Sequence, residues 1–284
     1  MAGNVPIRES VGAAFGYVRE NIAFIATVSA AGAAGAALIG AIALVGPQVV
    51  FVTTIASTLL QTFAYAALVG AALFGARAVP ARLVSDGMRV WAAMAIIGFL
   101  LFIVMFVASM VASIVLVAGP LAPFLPDLQA AGEDQAAVLA VMLRFAEQNP
   151  GALLALTLFF GGVWILLTSR FYLAAPASVD QQRILTFETW PWTKGAMLRI
   201  TGARLLLLIP ANLFAFAVTH LFGRLLGINS LDMASIAAAA AGNPAAYLAF
   251  AFVSSLLTFA IYTSLEAGLS TYLYRGLKPA GPPA

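Results

Sequence analysis

Long apolar stretches separated by short charged clusters dominate the chain. No Asp, Glu, Lys or Arg falls in residues 21–76, 90–126, 148–169, 205–223 or 233–265, windows that together hold 167 of the 284 residues. A membrane-crossing helix needs about 20 apolar residues. The first window holds 56 residues, which as one helix would run about 84 Å at 1.5 Å per residue, nearly three times the hydrocarbon thickness. It must fold back on itself, and Gly46-Pro47-Gln48 is the natural break, because proline ends one helix and suits the first turn of the next. Six spans follow, over 21–45, 48–76, 90–118, 150–170, 204–222 and 245–274. The predicted fold class is all-α, a polytopic membrane bundle of six transmembrane helices.

The spans fall into three helical hairpins with signs of repetition. Each even-numbered span opens at a proline: Gly46-Pro47, Asn149-Pro150 and Asn243-Pro244. Residues 149–155 and 243–249 share five identities in seven. Each odd-numbered span follows a hydroxyl residue, any residue and glycine: Ser10-Val11-Gly12, Ser85-Asp86-Gly87 and Thr193-Lys194-Gly195. The expected repeats are 8–76, 81–170 and 179–275, parallel about an axis along the membrane normal. They lie in one six-span domain over 21–278, preceded by an interfacial helix over 1–20 and followed by a short disordered tail over 279–284.

Amphipathic segments flank the spans. Val11, Phe15, Val18 and Ile22 share one helical face at the N-terminus, as an interfacial helix requires. Residues 134–148 read as a helix presenting Val138, Val141, Met142 and Phe145, and Ser230 is placed to cap another helix through Ala241. In the fourth loop, Trp190 and Trp192 stand beside Lys194 and Arg199, a pairing suited to the headgroup level of a bilayer.

Composition sharpens this reading. Charged residues make up only 9% of the chain and hydrophobic residues 63%, where a soluble domain carries about 25% charged. Of the 14 basic residues, 12 fall at the two termini and in the second and fourth loops, against Arg144 and Arg224 on the other side. Positive loops stay inside, so the expectation is a bacterial inner-membrane protein with both termini cytoplasmic. The formal charge of +3 is dispersed and forms no basic groove, so nucleic acid is not an expected partner. Membrane lipids are, together with a membrane-protein partner or a second copy of the chain.

Candidate chemistry is sparse. There is no cysteine, which excludes thiol nucleophiles and thiolate metal sites. The lone His220 makes no metal site. Signatures of zinc proteases, phosphate-binding loops, nucleophile elbows and dinucleotide sites are missing, so no catalytic residue, metal or cofactor is assigned. Glu266 is expected near the inner end of the last span, within reach of Arg199 or Arg204. Uncharged polar residues within spans form a candidate path: Gln61, Thr62, Ser109 and Asn212, with Gln61 and Asn212 also able to meet as an interhelical contact. In the first span Gly32, Ala36 and Gly40 form a small-residue stripe that allows close backbone approach.

The fourth loop carries a more specific pattern: Arg170-Phe171-Tyr172-Leu173-Ala174-Ala175-Pro176, then Asp180, then Trp190-Pro191-Trp192-Thr193-Lys194-Gly195. It resembles the Arg…Pro…Asp…Trp-x-Thr-Lys-Gly pattern of a bacterial inner-membrane superfamily of YciC-like proteins and the membrane domain of some glycerophosphodiester phosphodiesterases. Gln181-Gln182 departs from it, where a glutamate is expected. The resemblance implies a six-span fold and a conserved cytoplasmic motif. It implies no hydrolysis, because no phosphodiesterase domain follows Tyr274. Arg170, Pro176, Asp180, Trp190, Trp192, Thr193, Lys194, Gly195 and Arg199 become candidate lipid or partner contacts, with Arg170 clamping a phosphate or pairing with Asp180. The leading expectation is a non-enzymatic scaffold or accessory factor in envelope or lipid homeostasis. The alternative is a transporter or channel for a small or amphipathic solute.

Overall fold

A computed structural model describes residues 5–279. The start of the expected first helix, 1–4, and the tail beyond 279 lie outside the described residues. Every regular element described is helical. In chain order they are α1 (Ile7–Glu20), α2 (Ile22–Ala43), α3 (Val50–Phe74), α4 (Val79–Ala118), α5 (Leu125–Ala131), α6 (Gln135–Gln148) and α7 (Pro150–Arg170). There follow α8 (Ala174–Asp180), α9 (Met197–Leu225), α10 (Met233–Gly242), α11 (Pro244–Leu257) and α12 (Ser264–Leu277), with a π-helical turn, Thr258–Thr263, joining the last two.

Six helical stretches are long and apolar enough to cross a membrane: Ile22–Ala43, Val50–Phe74, Ala76–Ala118, Pro150–Asp180, Met197–Leu225 and Pro244–Leu277. The chain is an integral, multi-pass membrane protein with an all-α fold. Several spans run further than the uncharged windows predict, because charge does not stop these helices. In α4, the buried carboxylate of Asp86 takes Arg82 at 3.1 Å and Arg89 at 2.8 Å, one turn to either side. Neutralised along its own axis, the first part of α4 continues through three charges. Pro150 and Pro244 each start a helix, and Pro47 opens a 3-10 turn before α3. The hydroxyl-x-glycine triplets occupy different settings: Gly12 lies in α1, Gly87 sits under Phe63 in α4, and Gly195 turns the chain at φ +84° before α9.

The chain forms two compact units, one of residues 5–95 with 169–279 and one of Ile96–Thr168. In the smaller unit, the Asp134 carboxylate caps α6 through the Ala136 and Ala137 N–H groups, and Phe124, Val141 and Phe145 bury together, Phe124 meeting Phe145 edge-on at 5.5 Å. In the larger unit α1 docks on α12 and α9, with Leu173, Ile200, Leu269, Leu273 and Tyr274 in the core beneath it.

The docking of α1 differs from the interfacial face read from sequence. Its buried residues are Ser10, Ala14 and Tyr17, while Phe15 and Ile22 are 56% and 66% exposed. Small side chains let α1 approach closely: a Cβ added at Gly268 would lie 2.9 Å from the Tyr17 ring. The apolar stripe is divided: Val11 and Val18 pack against the core, while Phe15 and Ile22 face outward.

α2 packs between α3 and α11, and its small-residue stripe makes this approach possible. A Cβ at Gly32 would fall 2.8 Å from Phe259, and Gly40 lies against Leu248 and Tyr247. One expected cap is replaced: Asp232, not Ser230, accepts from the Ala234 N–H at the start of α10, and Ser230 instead meets His220 Nδ1 at 2.8 Å. A carboxylate is the better acceptor at a helix N-terminus, which leaves the serine for the imidazole.

Candidate functional site

Two polar assemblies lie in the larger unit. The first is the fourth-loop motif. The chain turns after α7, and residues 171–179 are all buried, with Pro176 inside α8. The Ser178 hydroxyl donates to Ala174 O at 2.7 Å and accepts from the Leu185 N–H at 3.0 Å, pinning the returning strand of chain. Thr193 Oγ1 donates to Arg170 O (3.2 Å) and Trp190 O (2.9 Å), while the Arg170 guanidinium stands 5.2 Å from the Trp190 ring centroid. Arg170, Trp190 and Thr193 are thus brought together.

Asp180 lies elsewhere in the motif and pairs with other groups: its Oδ2 accepts from the Tyr274 hydroxyl at 2.6 Å and from Lys278 Nζ at 3.3 Å. The expected Arg170–Asp180 pair gives way to an aromatic partner for the arginine and a C-terminal partner for the aspartate. Trp192 leans on Tyr274, centroids 6.2 Å apart. Lys194, Gly195 and Arg199 sit on the exposed side. Nearby, the backbone N–H groups of Glu188 itself and of Thr186 hold the Glu188 carboxylate below the usual carboxylate range.

The second assembly is a cavity of about 700 Å³ between α2, α3 and the last span. α3 meets that span at the π-helical turn and α12 but barely touches α11, so the two helices diverge with α2 as the back wall. The π insertion accounts for the divergence, since an extra residue per turn redirects the helix. One face of α3 supplies Thr54, Ser57, Thr58, Gln61, Thr62 and Tyr65, and the last span supplies Ser255, Thr258, Tyr262 and Glu266.

Around Glu266, side chains interlock. Its carboxylate lies beside the Tyr262 hydroxyl and within the field of the Arg204 guanidinium, and its backbone O accepts from the Tyr172 hydroxyl at 3.4 Å. Arg204, 7% exposed, donates to Ser169 Oγ at 2.9 Å and lies 4.5 Å over the Tyr172 ring. Thr201 joins the same serine at 3.0 Å. The Tyr65 hydroxyl donates to Ser270 Oγ at 2.8 Å. A charge inside a membrane is costly unless surrounded in this way.

Of the residues proposed to line a path, Gln61 and Thr62 face this cavity. Asn212 instead donates to Leu208 O at 2.8 Å in its own helix, and no Gln61–Asn212 contact forms. Ser109, in the smaller unit, donates to Phe106 O at 2.7 Å. Sequence reasoning missed Tyr65, Tyr262 and Ser270; the expected nearness of Glu266 to Arg204 is present. The missed signal was spacing: Thr58, Gln61, Thr62 and Tyr65 recur at helical intervals, as do Ser255, Thr258, Tyr262 and Glu266.

No known family model, curated protein or solved structure matches the chain.

Proposed function

We propose that this is a bacterial inner-membrane protein, termini cytoplasmic, whose cavity between α3 and α11 binds a small polar or amphipathic solute and passes it along the membrane normal. The observation that carries this reading is the convergence of Thr58, Gln61, Thr62, Tyr65, Tyr262 and Glu266 on one space. Hydroxyls and an amide arranged around a carboxylate suit a solute bearing hydroxyl or ammonium groups. The lopsided arginine and lysine distribution supports the orientation. No residue is assigned a catalytic role.

The test is mass spectrometry of small molecules retained by the protein in native-lipid nanodiscs, wild type beside Glu266→Gln. A hydroxylated or amine-bearing compound should co-purify with the wild type and fall about tenfold in the variant, the effect of losing one charge-assisted contact. Equal recovery, or nothing from either, would count against the cavity as a solute site.

A second reading rests on the fourth loop and on its resemblance to YciC-like proteins. There the chain acts as a scaffold or accessory factor in envelope or lipid homeostasis, touching lipid or a membrane-protein partner, a second copy included. The observation favouring it is a surface of exposed Ile184, Phe187, Trp190 and Leu198 among Arg183, Lys194 and Arg199, apolar tips beside cations as an anionic bilayer surface attracts them.

A further inference from the structure

A second cavity, of about 550 Å³, lies where α1 ends, α2 begins, and α3 and α12 finish, and Tyr17, Glu20, Asn21, Thr271, Tyr272 and Arg275 line it. It shares no residue with the first. The start of α2, the end of α3 and the last turns of α12 gather here, at the end of the larger unit where the orientation proposed above puts the cytoplasmic head groups.

The chemistry of the lining is paired. Glu20 brings a carboxylate, reinforced by the negative C-terminal end of α1. Arg275 uses one nitrogen, Nη2, to close the end of α3 on Ala72 O (2.9 Å) and Leu73 O (3.2 Å). Its side chain is otherwise exposed, leaving donors that fit an anionic oxygen. Thr271 also lines the cavity, but its Oγ1 is buried out of reach of it, so Glu20 and Arg275 supply the charged chemistry.

We infer that this second cavity is a binding site for a zwitterionic lipid head group, its ammonium directed to Glu20 and its phosphate to Arg275. A purely anionic head group would leave Glu20 opposed to like charge, and a lone cation would leave Arg275 unanswered. The depth of the site at the span ends selects a head group over a free solute. The site is independent of the solute reading of the first cavity.

The full chain is reconstituted in nanodiscs of phosphatidylethanolamine with phosphatidylglycerol, and the lipid retained on transfer to detergent is quantified by native mass spectrometry. Wild-type protein should retain phosphatidylethanolamine selectively. Glu20→Gln, at an exposed position, should weaken retention about tenfold, the scale of a charge-assisted hydrogen bond. Equal retention of phosphatidylglycerol, or phosphatidylethanolamine retention unchanged in Glu20→Gln, would overturn the inference. So would saturable thermal stabilisation by free phosphoethanolamine in protein that retains no phosphatidylethanolamine.

Discussion

The Tyr274 hydroxyl donates a 2.6 Å hydrogen bond to Asp180 Oδ2 across 94 residues of chain, tying the end of the last span to the fourth loop. The phenol ring is fully buried, and Lys278 approaches the same oxygen. Tyr274→Phe keeps the ring and removes one donor from a partly buried carboxylate. We expect a loss of roughly 1–3 kcal/mol, read as a lowered unfolding midpoint in detergent. Asp180→Asn should cost less in the Tyr274→Phe background than alone, because the Tyr274 bond is lost only once, and the half-exposed Lys278 pair that goes with it adds little. Additive losses would show that the bond is not the link between the segments.

Gly32 and Phe259 mark a close approach of α2 to the last span. With a Cβ only 2.8 Å from the ring, Gly32→Ala forces the phenyl group or a helix to move, an overpacking cost of about 1–3 kcal/mol. Phe259→Leu should recover much of that loss in the double variant while being destabilising alone. The measurement is thermal unfolding of all three variants. A neutral Gly32→Ala would mean that the helices are looser here than the geometry requires.

Tyr17 lies outside the spans, and its hydroxyl donates to Leu68 O at 2.7 Å. Burial pushes its phenol well above the ordinary value of 10.0. The folded state therefore holds its proton more tightly than the unfolded chain, so the contribution is full below the unfolded value and declines as pH rises through the folded one. Stability in detergent should fall above about pH 10, and less steeply in Tyr17→Phe, which has nothing to ionise. Identical alkaline slopes in the two proteins would sink the assignment.

The six spans were legible because apolar length is a one-dimensional property, and the stripe of Gly32, Ala36 and Gly40 was legible because helical spacing is. What escaped depends on three dimensions. The spans over 204–222 and 245–274 already took in Arg204 and Glu266, but not the further turns of α9 before Arg204 or the Ser169 and Tyr172 groups that surround the guanidinium. Tyr65 and Ser270 lie 205 residues apart, and nothing local in either segment marks the pairing. The π-helical turn that separates α11 from α3 has no proline or glycine to announce it. α1 was legible only in part: Phe15 faces outward as an interfacial stripe would, but Val11 and Val18 turn to the core beside Ser10 and Ala14, whose small side chains allow the close packing.

Trp190 supplies the sharpest test of the fourth loop as a membrane-contacting surface. Its indole is 38% exposed, with one side against the Phe171 ring at 5.1 Å and the Arg170 guanidinium at 5.2 Å, and Phe187 beside it is 53% exposed. Indoles settle at the head-group level because the ring is apolar and its N–H needs a polar partner. With Trp91, Trp164 and Trp192 changed to Phe, the emission of Trp190 should be quenched strongly by lipids brominated near the glycerol end of the acyl chain and weakly by those brominated near its tip. Arg183→Glu combined with Lys194→Glu should lower the anionic lipid recovered with the protein, since each cation near such a surface contributes about 1 kcal/mol. Emission insensitive to either brominated lipid would place the loop in water and remove the physical basis for lipid contact there.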